Sequence, residues 1–530
     1  MAQCVLFEKR ESLNYKGDPH MIDVSSRIEK EKIVASLGKN YINGVWRDGS
    51  ATTKFESWNP THTDDVIGAY PLSNSTDVDE AVDAAKTAFP AWRGLGMVKR
   101  AQYIKELLWH MERNFHSLAW MVTRESGKHI NEAEADVREA IHMAEYAFSA
   151  GTMGRRGEVI DLEVAEKDAF TKLVPRGVAV AITPWNFPIA IPLWQIALTL
   201  VYGNTVILKP SEETPACGEL IAKLADLAKF PPGVFNLVQG YGAGAGWRLV
   251  CHPDVNVIIL TGHETTGAKV KLEVARHPNK ICTVETGGKS AVIILEDALN
   301  TYAIPSAILS AFKTTGQRCV SASRIIIARK KFASFAEQFL VRARRIKVGH
   351  PFEPEVFCGP MINKKAVVKG MRFNEQASQR FNVMLDRNNE PLPTENGYWL
   401  WPFVYMAEWN TPDSVLQEEP FSPHTALIPA DNPEHAAHIY NDTRYGLAAA
   451  VITENYRDMR WMEEHLDCGL FYWNAPCIGA DVRLPFGGVK QSGNLIPSAA
   501  GLIPVITHQK AVTYNRGIDV TMAQGLSAKV

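Results

Sequence analysis

The sequence predicts an α/β protein with two doubly wound domains, and three observations carry that prediction. From residue 177, apolar runs without polar alternation are each followed by a helix-length segment, the pattern of a parallel sheet covered on both faces. A second block of the same kind starts at residue 290. The length, 530 residues, exceeds what one hydrophobic core usually supports, so more than one domain is expected.

Residues 1–40 show weak periodicity and read as an N-terminal extension. From "NYINGVWRDG" onward, strand-like runs alternate with Gly and Asp turns. "SNSTDVDEAVDAAKTAF" predicts a helix capped by Ser75 or Thr76, with Val78, Ala81, Val82, Ala85 and Phe89 on one face. The first block then reads as strand "GVAVAIT", a helix over Ile189 to Tyr202, strand "TVILK", helix "CGELIAKLADLAKF" and strand "GVFNLV". A short helix "GWRLVCH", strand "VNVIIL" and helix "HETTGAKVKLEVARH" complete it. The second block runs from "SAVIIL" through "IPSAILSAFKT", "SRIIIAR" and "FASFAEQFLVRARRI" to "LAAAVIT".

Composition narrows the function. Hydrophobic residues make up 46% and charged residues 22%, ordinary values for a globular chain. A formal net charge of −2 gives no electrostatic footprint for nucleic acid or a membrane surface. Residues 177–208 carry no charge, but "AITPWNFPIAIPLWQ" holds three prolines, which a spanning helix would not tolerate. A buried strand, a loop and a buried helix account for it. The N-terminus resembles neither a secretory signal nor a transit peptide. Eight scattered cysteines form no C-x-x-C pair, and Cys251-His252 is a lone adjacent pair, so no metal site is expected. Free thiols and a cytoplasmic location fit this pattern.

Several motifs carry chemistry, each with a plainer reading beside it. "GYGAGAG" gives only G-x-G-x-x-A, a turn with incidental glycines as readily as a phosphate cradle. In "VIILTGHETTG" a strand turns at Thr261-Gly262 and a helix begins near Glu264, placing a helix N-terminus where a pyrophosphate can sit. In "TPWNFP", Pro184 and Pro188 brace Asn186, either a capping residue or a fixed amide donor to an oxyanion. "ILKPSEETP" ends a strand with Lys209 and Glu212, suited to a ribose, with Glu212 repelling a 2′-phosphate. "TVETGGKSAVIIL" puts Glu285 at a buried strand end, where its pKa would rise as a general base needs. In "TTGQRCVSASR", Cys319 follows a helix end, and free backbone N–H groups with Arg318 would favour its thiolate. Taken alone, an inert buried thiol is the commoner fate of such a cysteine.

Together, "PWNFP", "LKPSE", "TGHETTG", "ETGGKS", "GQRC", "EEPF", "NDTRYGLAA" and "PFGGVKQSG" resemble, in order, the motifs of the aldehyde dehydrogenase superfamily. The resemblance covers nearly the whole chain after about residue 40. It implies Cys319 as nucleophile, Glu285 as general base, and Asn186 with the Cys319 backbone N–H as oxyanion hole. Cofactor contacts are implied at Thr183, Pro184, Trp185, Lys209, Glu212, Gly242, Gly262, His263, Gly267, Glu419 and Phe421. The implied cofactor is NAD, with NADP left open. The implied reaction is aldehyde oxidation through a cysteine thiohemiacetal and thioester, with no metal. His263, Leu260, Thr286 and Ser422 depart from residues common in relatives.

The resemblance also implies a division of the chain. Residues 41–154 and 176–286 would bind cofactor, 287–503 would be the catalytic domain, and 155–175 with 504–530 a small β oligomerisation arm. A homodimer or homotetramer follows, because "RRGEVIDLE" and "HQKAVTYNRG" read as strand edges that need a partner.

The aldehyde's tail would be lined by "NAPCIGADVRLPFGG", whose form is similar to relatives acting on carboxylate-bearing semialdehydes. Gly479 and Ala480 would offer backbone N–H groups and Arg483 a charge. Trp194, Tyr472 and Trp473 would equally line a pocket for an aromatic or aliphatic aldehyde, and Val320 follows the nucleophile where the glutamate-semialdehyde branch has serine. A CoA-acylating dehydrogenase and a catalytically silent binding or structural relative are the other readings.

Overall fold

Five apolar strands, Val178–Ile182, Thr205–Lys209, Phe235–Leu237, Val257–Thr261 and Ile281–Glu285, pair in parallel in the first sheet. Nearly every residue in them is buried, as non-alternating Val, Ile and Leu require. Asn40–Ile42 and Val45–Arg47 extend one edge in antiparallel pairing. By chain position the parallel strands lie in the order fifth, fourth, first, second, third. That order reverses between Val178–Ile182 and Val257–Thr261, where a doubly wound sheet opens a crevice at its carboxyl edge.

The second sheet has seven strands, in the order Asn382–Leu385, Phe403–Met406, His424–Ala430, Arg324–Ala328, Ala291–Ile294, Ala448–Ile452, Leu470–Trp473. All pairings are parallel except that of Asn382–Leu385. Both α/β blocks read in the sequence are therefore present as sheets. A third sheet is antiparallel: Thr507–Asn515 pairs with Lys167–Pro175 over nine positions, and Val159–Ile160 continues it. Val159 is 88% exposed, so this sheet offers an open apolar edge.

This computed structural model describes residues 36–524, apart from 155–156, 392, 395 and 410–412. The expected N-terminal extension falls almost wholly outside the described residues, as do the first two residues of "RRGEVIDLE" and the last six of the chain. The chain divides after Ser36, leaving Leu37–Val530 as one unit. No helix among the described residues is long and apolar enough to cross a membrane. The uncharged stretch resolves into Val178–Ile182, a proline-braced turn and the helix Ala190–Val201, buried along its whole length.

One local expectation changes. The helix Ser75–Gly94 is capped by Asn74, not Ser75 or Thr76. Asn74 Oδ1 accepts from the N–H groups of Thr76 and Asp77, while Asp77 Oδ2 accepts from Asn74 N at 3.0 Å. This reciprocal box satisfies helix donors that the two hydroxyl residues, one and two places further in, cannot reach. "GAGAG" (Gly242–Gly246) is a π-helical turn running into the short helix Trp247–Cys251. The backbone freedom of its glycines admits the wider turn.

Candidate active site

The segment before Cys319 is wound against its backbone preference. After the helix Asn300–Phe312, Thr314, Thr315 and Gly316 have φ of 55°, 54° and 69°. β-Branched residues rarely occupy that left-handed region. Specific bonds hold them there: Thr314 Oγ1 donates to Glu132 Oε1 at 2.5 Å, and Thr315 Oγ1 to the Gly359 carbonyl at 2.9 Å. Gly316 admits no side chain, since a Cβ there would lie 2.1 Å from the Ser422 carbonyl oxygen. Strain of this kind persists only where surroundings over-determine it, and it gathers at functional sites.

Asn186 joins this loop directly. Its Nδ2 donates to the Gln317 carbonyl at 3.1 Å, two residues before Cys319. An amide carries two N–H groups, and this bond uses one. The turn bearing Asn186 leads into the helix Ala190–Val201, whose first N–H donates to Asp136 Oδ1 at 2.7 Å. Asp136 in turn pairs with Lys128 at 2.9 Å, both fully buried. Asn186 is thus held from both ends.

Arg318 does not favour the thiolate as the sequence suggested. Its guanidinium is engaged elsewhere, Nη2 donating to Glu132 Oε1 at 2.8 Å and Nε to Thr314 Oγ1 at 2.7 Å. Its charge is spent on the strained turn. Burial, with the carboxylates of Glu285 and Glu419, pushes the Cys319 thiol well up. This favours the thiol over the thiolate, although the backbone N–H groups of Cys319 and Val320 pull the other way, so a nucleophilic Cys319 must first lose its proton.

Glu285 ends the strand Ile281–Glu285 and is 1% exposed. Its Oε2 accepts from the Gly488 N–H at 3.2 Å, while Oε1 is buried with no protein partner. Burial pushes this carboxyl well above the usual range, as the sequence reading required. The following double glycine is a place of close approach. A Cβ on Gly288 would lie 2.6 Å from the Cys319 carbonyl oxygen, and one on Gly287 would lie 2.2 Å from Glu419 Oε2. Glu419 Oε1 accepts from the Gly288 N–H at 2.9 Å, and burial moves its pKa up to about 7.

The crevice of the first sheet gathers most of the remaining motif residues. Thr183, Pro184 and Trp185 follow the first strand, and Gly262 with His263 follows the fourth, on either side of the reversal. Lys209 Nζ and Glu212 Oε2 meet at 3.0 Å beside them. Burial lowers the Lys209 pKa, whereas Lys209 and backbone N–H groups including that of Gly242 keep Glu212 ionised despite its burial. Trp185 meets Phe421 edge-on at 5.6 Å. His263 caps the helix Glu264–Val274, its Nδ1 accepting from Thr265 N at 3.3 Å. Burial, with Lys369, favours its neutral form. Gly267 has a packing reason of its own, because a Cβ there would lie 2.5 Å from Val284 Cγ1. Ser422 fits because Gly370 faces it: a Cβ on Gly370 would come within 3.1 Å of Ser422 Cβ.

Beside the crevice lies a cavity of about 750 Å³ that includes Cys319, Glu285 and Val320. Of the five expected pocket residues, Trp194, Gly479, Ala480 and Arg483 line it, and Trp473 does not. Trp473 ends a strand whose side chains alternate between faces. Its indole donates to the Thr453 carbonyl at 2.9 Å and its ring meets Tyr456, whereas the Tyr472 hydroxyl donates to the Gly479 carbonyl. Arg483 lines the cavity but gives its charge to Asp481, with Nε on Asp481 Oδ1 at 2.8 Å.

Three comparisons bear on this arrangement. The model described as "Aldehyde dehydrogenase family" matches residues 46–512. The chain belongs to the aldehyde dehydrogenase family. An α-ketoglutaric semialdehyde dehydrogenase of Bacillus subtilis (strain 168) is 36% identical to it, over 86% of this chain and 93% of its own. A 1-pyrroline-5-carboxylate dehydrogenase of Halalkalibacterium halodurans is 33% identical, over 88% of this chain and 90% of its own. A betaine aldehyde dehydrogenase of Staphylococcus aureus, solved in complex with NAD+, superposes with a TM-score of 0.87 at 25% identity. That superposition covers 91% of this chain and 95% of the other.

One wall of this aldehyde dehydrogenase's cavity comes from the helix Ile130–Met153, which the motifs do not mark. Ala133, Val137, Ala140, Ala144 and Ala147 bury one face of that helix, while Arg138, Glu139, His142, Glu145 and Tyr146 line the cavity. Arg138 pairs with no carboxylate among the described residues, and its guanidinium lies over the Phe115 ring at 4.4 Å. Glu132, Lys128 and Asp136 from the same region brace the loops carrying Cys319 and Asn186. The 3-4 spacing of small residues could have located this helix; only tertiary packing shows which loops it supports.

Proposed function

We propose that this aldehyde dehydrogenase oxidises a carboxylate-bearing semialdehyde to a dicarboxylic acid with NAD, through Cys319. The observation that carries this reading is one cavity lined by Cys319, Glu285 and Arg138, an arginine that pairs with no carboxylate among the described residues. Arg138 takes the role first expected of Arg483, alongside the backbone at Gly479 and Ala480. The α-ketoglutaric semialdehyde and pyrroline-5-carboxylate relatives support a tail of that charge.

The residues of the crevice suit a dinucleotide. Thr183 Oγ1 is buried without a partner, the Lys209–Glu212 pair offers a donor and an acceptor for a ribose, and Glu212 repels a 2′-phosphate. Gly242, Gly262, His263 and Gly267 would hold its phosphates, and Glu419 with Phe421, which meets Trp185 edge-on, would hold the nicotinamide riboside. When bound, the nicotinamide accepts the hydride.

The Cys319 thiol loses its proton to solvent, the thiolate Sγ attacks the aldehyde carbon, and the carbonyl π pair moves onto oxygen. The second Asn186 N–H and the Cys319 backbone N–H stabilise that oxyanion. Loss of hydride leaves a thioester on Cys319. Glu285, whose free Oε1 accepts a proton from water, directs hydroxide to the thioester carbon and releases the acid. A base positioned for water favours hydrolysis over transfer to CoA.

Residues 41–154 and 176–286 serve the cofactor in this reading, 287–503 carries the nucleophile, and the third sheet is the oligomerisation arm. The assembly is a homodimer or homotetramer, and light scattering returning a monomer would refute it. The enzyme works in the cytoplasm, where free cysteines such as buried Cys217 and Cys358 stay reduced; recovery in a membrane or secreted fraction would count against this.

The substrate reading is tested with matched aldehydes. Glutaric semialdehyde is expected to exceed pentanal in kcat/KM by at least about tenfold with NAD, and NADP to support slower turnover. Equal rates for the two aldehydes would sink the carboxylate. Cys319 and Glu285 are both pushed up, so the first NADH turnover and steady-state turnover should each rise with pH through the neutral range. A flat profile over about pH 6 to 9 would contradict that assignment.

A further inference from the structure

The strand Ile281–Glu285 lies at the edge of the first sheet, with no further strand among the described residues on its outer side. The outward N–H and C=O groups of an edge strand need partners. Here residues 491–495 supply them, and much of the pairing runs through side chains. Asn494, 210 positions from Val284, accepts from the Val284 N–H with Oδ1 at 2.7 Å and donates through Nδ2 to the Cys282 carbonyl at 3.2 Å. The Asn494 N–H donates to the Val284 carbonyl at 3.2 Å, so one asparagine stands in for a stretch of neighbouring strand. Thr286 fastens the other end. Its N–H donates to the Ser492 carbonyl at 2.8 Å and its Oγ1 to the Gln491 carbonyl at 2.5 Å. Thr283 Oγ1 adds a bond to the Leu495 carbonyl at 2.8 Å.

The same segment shapes the space around the Glu285 carboxyl. The Gly488 N–H donates to Glu285 Oε2, and a Cβ on Gly493 would lie 3.0 Å from that oxygen. A Cβ on Gly487 would lie 3.5 Å from it, and Gly493 pairs with Glu285 as a single antiparallel bridge. The backbone from Gly487 to Gly493 thus packs directly on the carboxyl. Its place is set by the bonds from Thr286 to Gln491 and Ser492, and from Asn494 to Val284 and Cys282. Thr286 is one of the departures noted in the sequence, and an apolar side chain there could not make the bond to Gln491. Neither Asn494 nor Thr286 lines the cavity.

We propose that Asn494 and Thr286 are positioning residues for thioester hydrolysis. They clamp residues 487–495 onto the outer edge of the strand Ile281–Glu285 and so hold the Glu285 carboxyl where it directs water at the acyl group. This rests on the reading of Glu285 as the base for hydrolysis.

The test measures the first NADH turnover and the steady rate after mixing each variant with NAD and the better of glutaric semialdehyde and pentanal. Asn494 is exposed, and Thr286→Val exchanges only a hydroxyl for a methyl, so neither change empties the core. Attack and hydride loss do not use Glu285 in this reading, so the first turnover should stay within about twofold of wild type. The steady rate should fall about tenfold in Asn494→Ala and about threefold in Thr286→Val. A general loosening of the fold would slow both phases together. In a Glu285→Gln background, Asn494→Ala should lower the residual steady rate by less than about twofold, because the group it positions is already gone. Equal losses in the two phases, an unchanged steady rate in both variants, or a full tenfold loss on top of Glu285→Gln would overturn the proposal. Failure of the underlying reading shows separately, as Glu285→Gln alone losing its burst along with its steady rate.

Discussion

Replacing Cys319 by alanine is expected to lower NADH formation by at least about a thousandfold with every aldehyde, while leaving NAD binding measurable by thermal shift. The size follows from the chemistry. Hydride is a poor leaving group, and only a tetrahedral adduct with a covalent bond to the enzyme drives it off. The adduct needs sulfur at residue 319, on a turn that Glu132, Gly359 and Asn186 hold in place. None of the other cysteines among the described residues lines the cavity. Substantial turnover by the alanine variant would show that another residue carries the acyl group.

Glu285→Gln should separate the two halves of the reaction. Attack and hydride loss consume no water, so a burst approaching about one NADH per active site is expected. Hydrolysis then stalls, because glutamine keeps the hydrogen bond from Gly488 but takes no proton from water. Steady turnover should fall by about a hundredfold or more. A matching loss of burst and steady rates would instead make Glu285 the base for Cys319 itself. That outcome has a physical basis, since Glu285 lines the same cavity as Cys319 and its charge raises the cost of ionising the thiol. Added CoA should not restore the steady rate, and rescue by it would favour the acyl-transfer reading.

What the sequence reveals here follows from the range of the interaction involved. Parallel strands announce themselves through unbroken apolar runs, so "GVAVAIT" and "TVILK" match Val178–Ile182 and Thr205–Lys209 closely. Glu285 at a strand end implies burial, and burial implies its raised pKa. Errors begin where one residue's partner lies far away. Arg318 beside Cys319 reads as local positive charge, until Glu132, 186 positions distant, takes the guanidinium. Arg483 is likewise consumed by Asp481, although that partner is only two residues away. Trp473 and Tyr472 are indistinguishable as aromatic neighbours, and strand alternation decides which one approaches the pocket segment. Arg138 and Glu139 sit in no motif. Their place in the cavity is set by how the helix Ile130–Met153 packs on Ala190–Val201, a relation no short spacing encodes.

The central claim is that Cys319 carries the substrate as a thioester that Glu285 hydrolyses. It is tested most directly by mixing the Glu285→Gln enzyme with glutaric semialdehyde and NAD, quenching in acid, and mapping the mass of each cysteine peptide. The account predicts one added acyl group, on the peptide containing Cys319, in amount equal to the NADH burst. An NADH burst with Cys319 unmodified, or the acyl group on another cysteine, would contradict it.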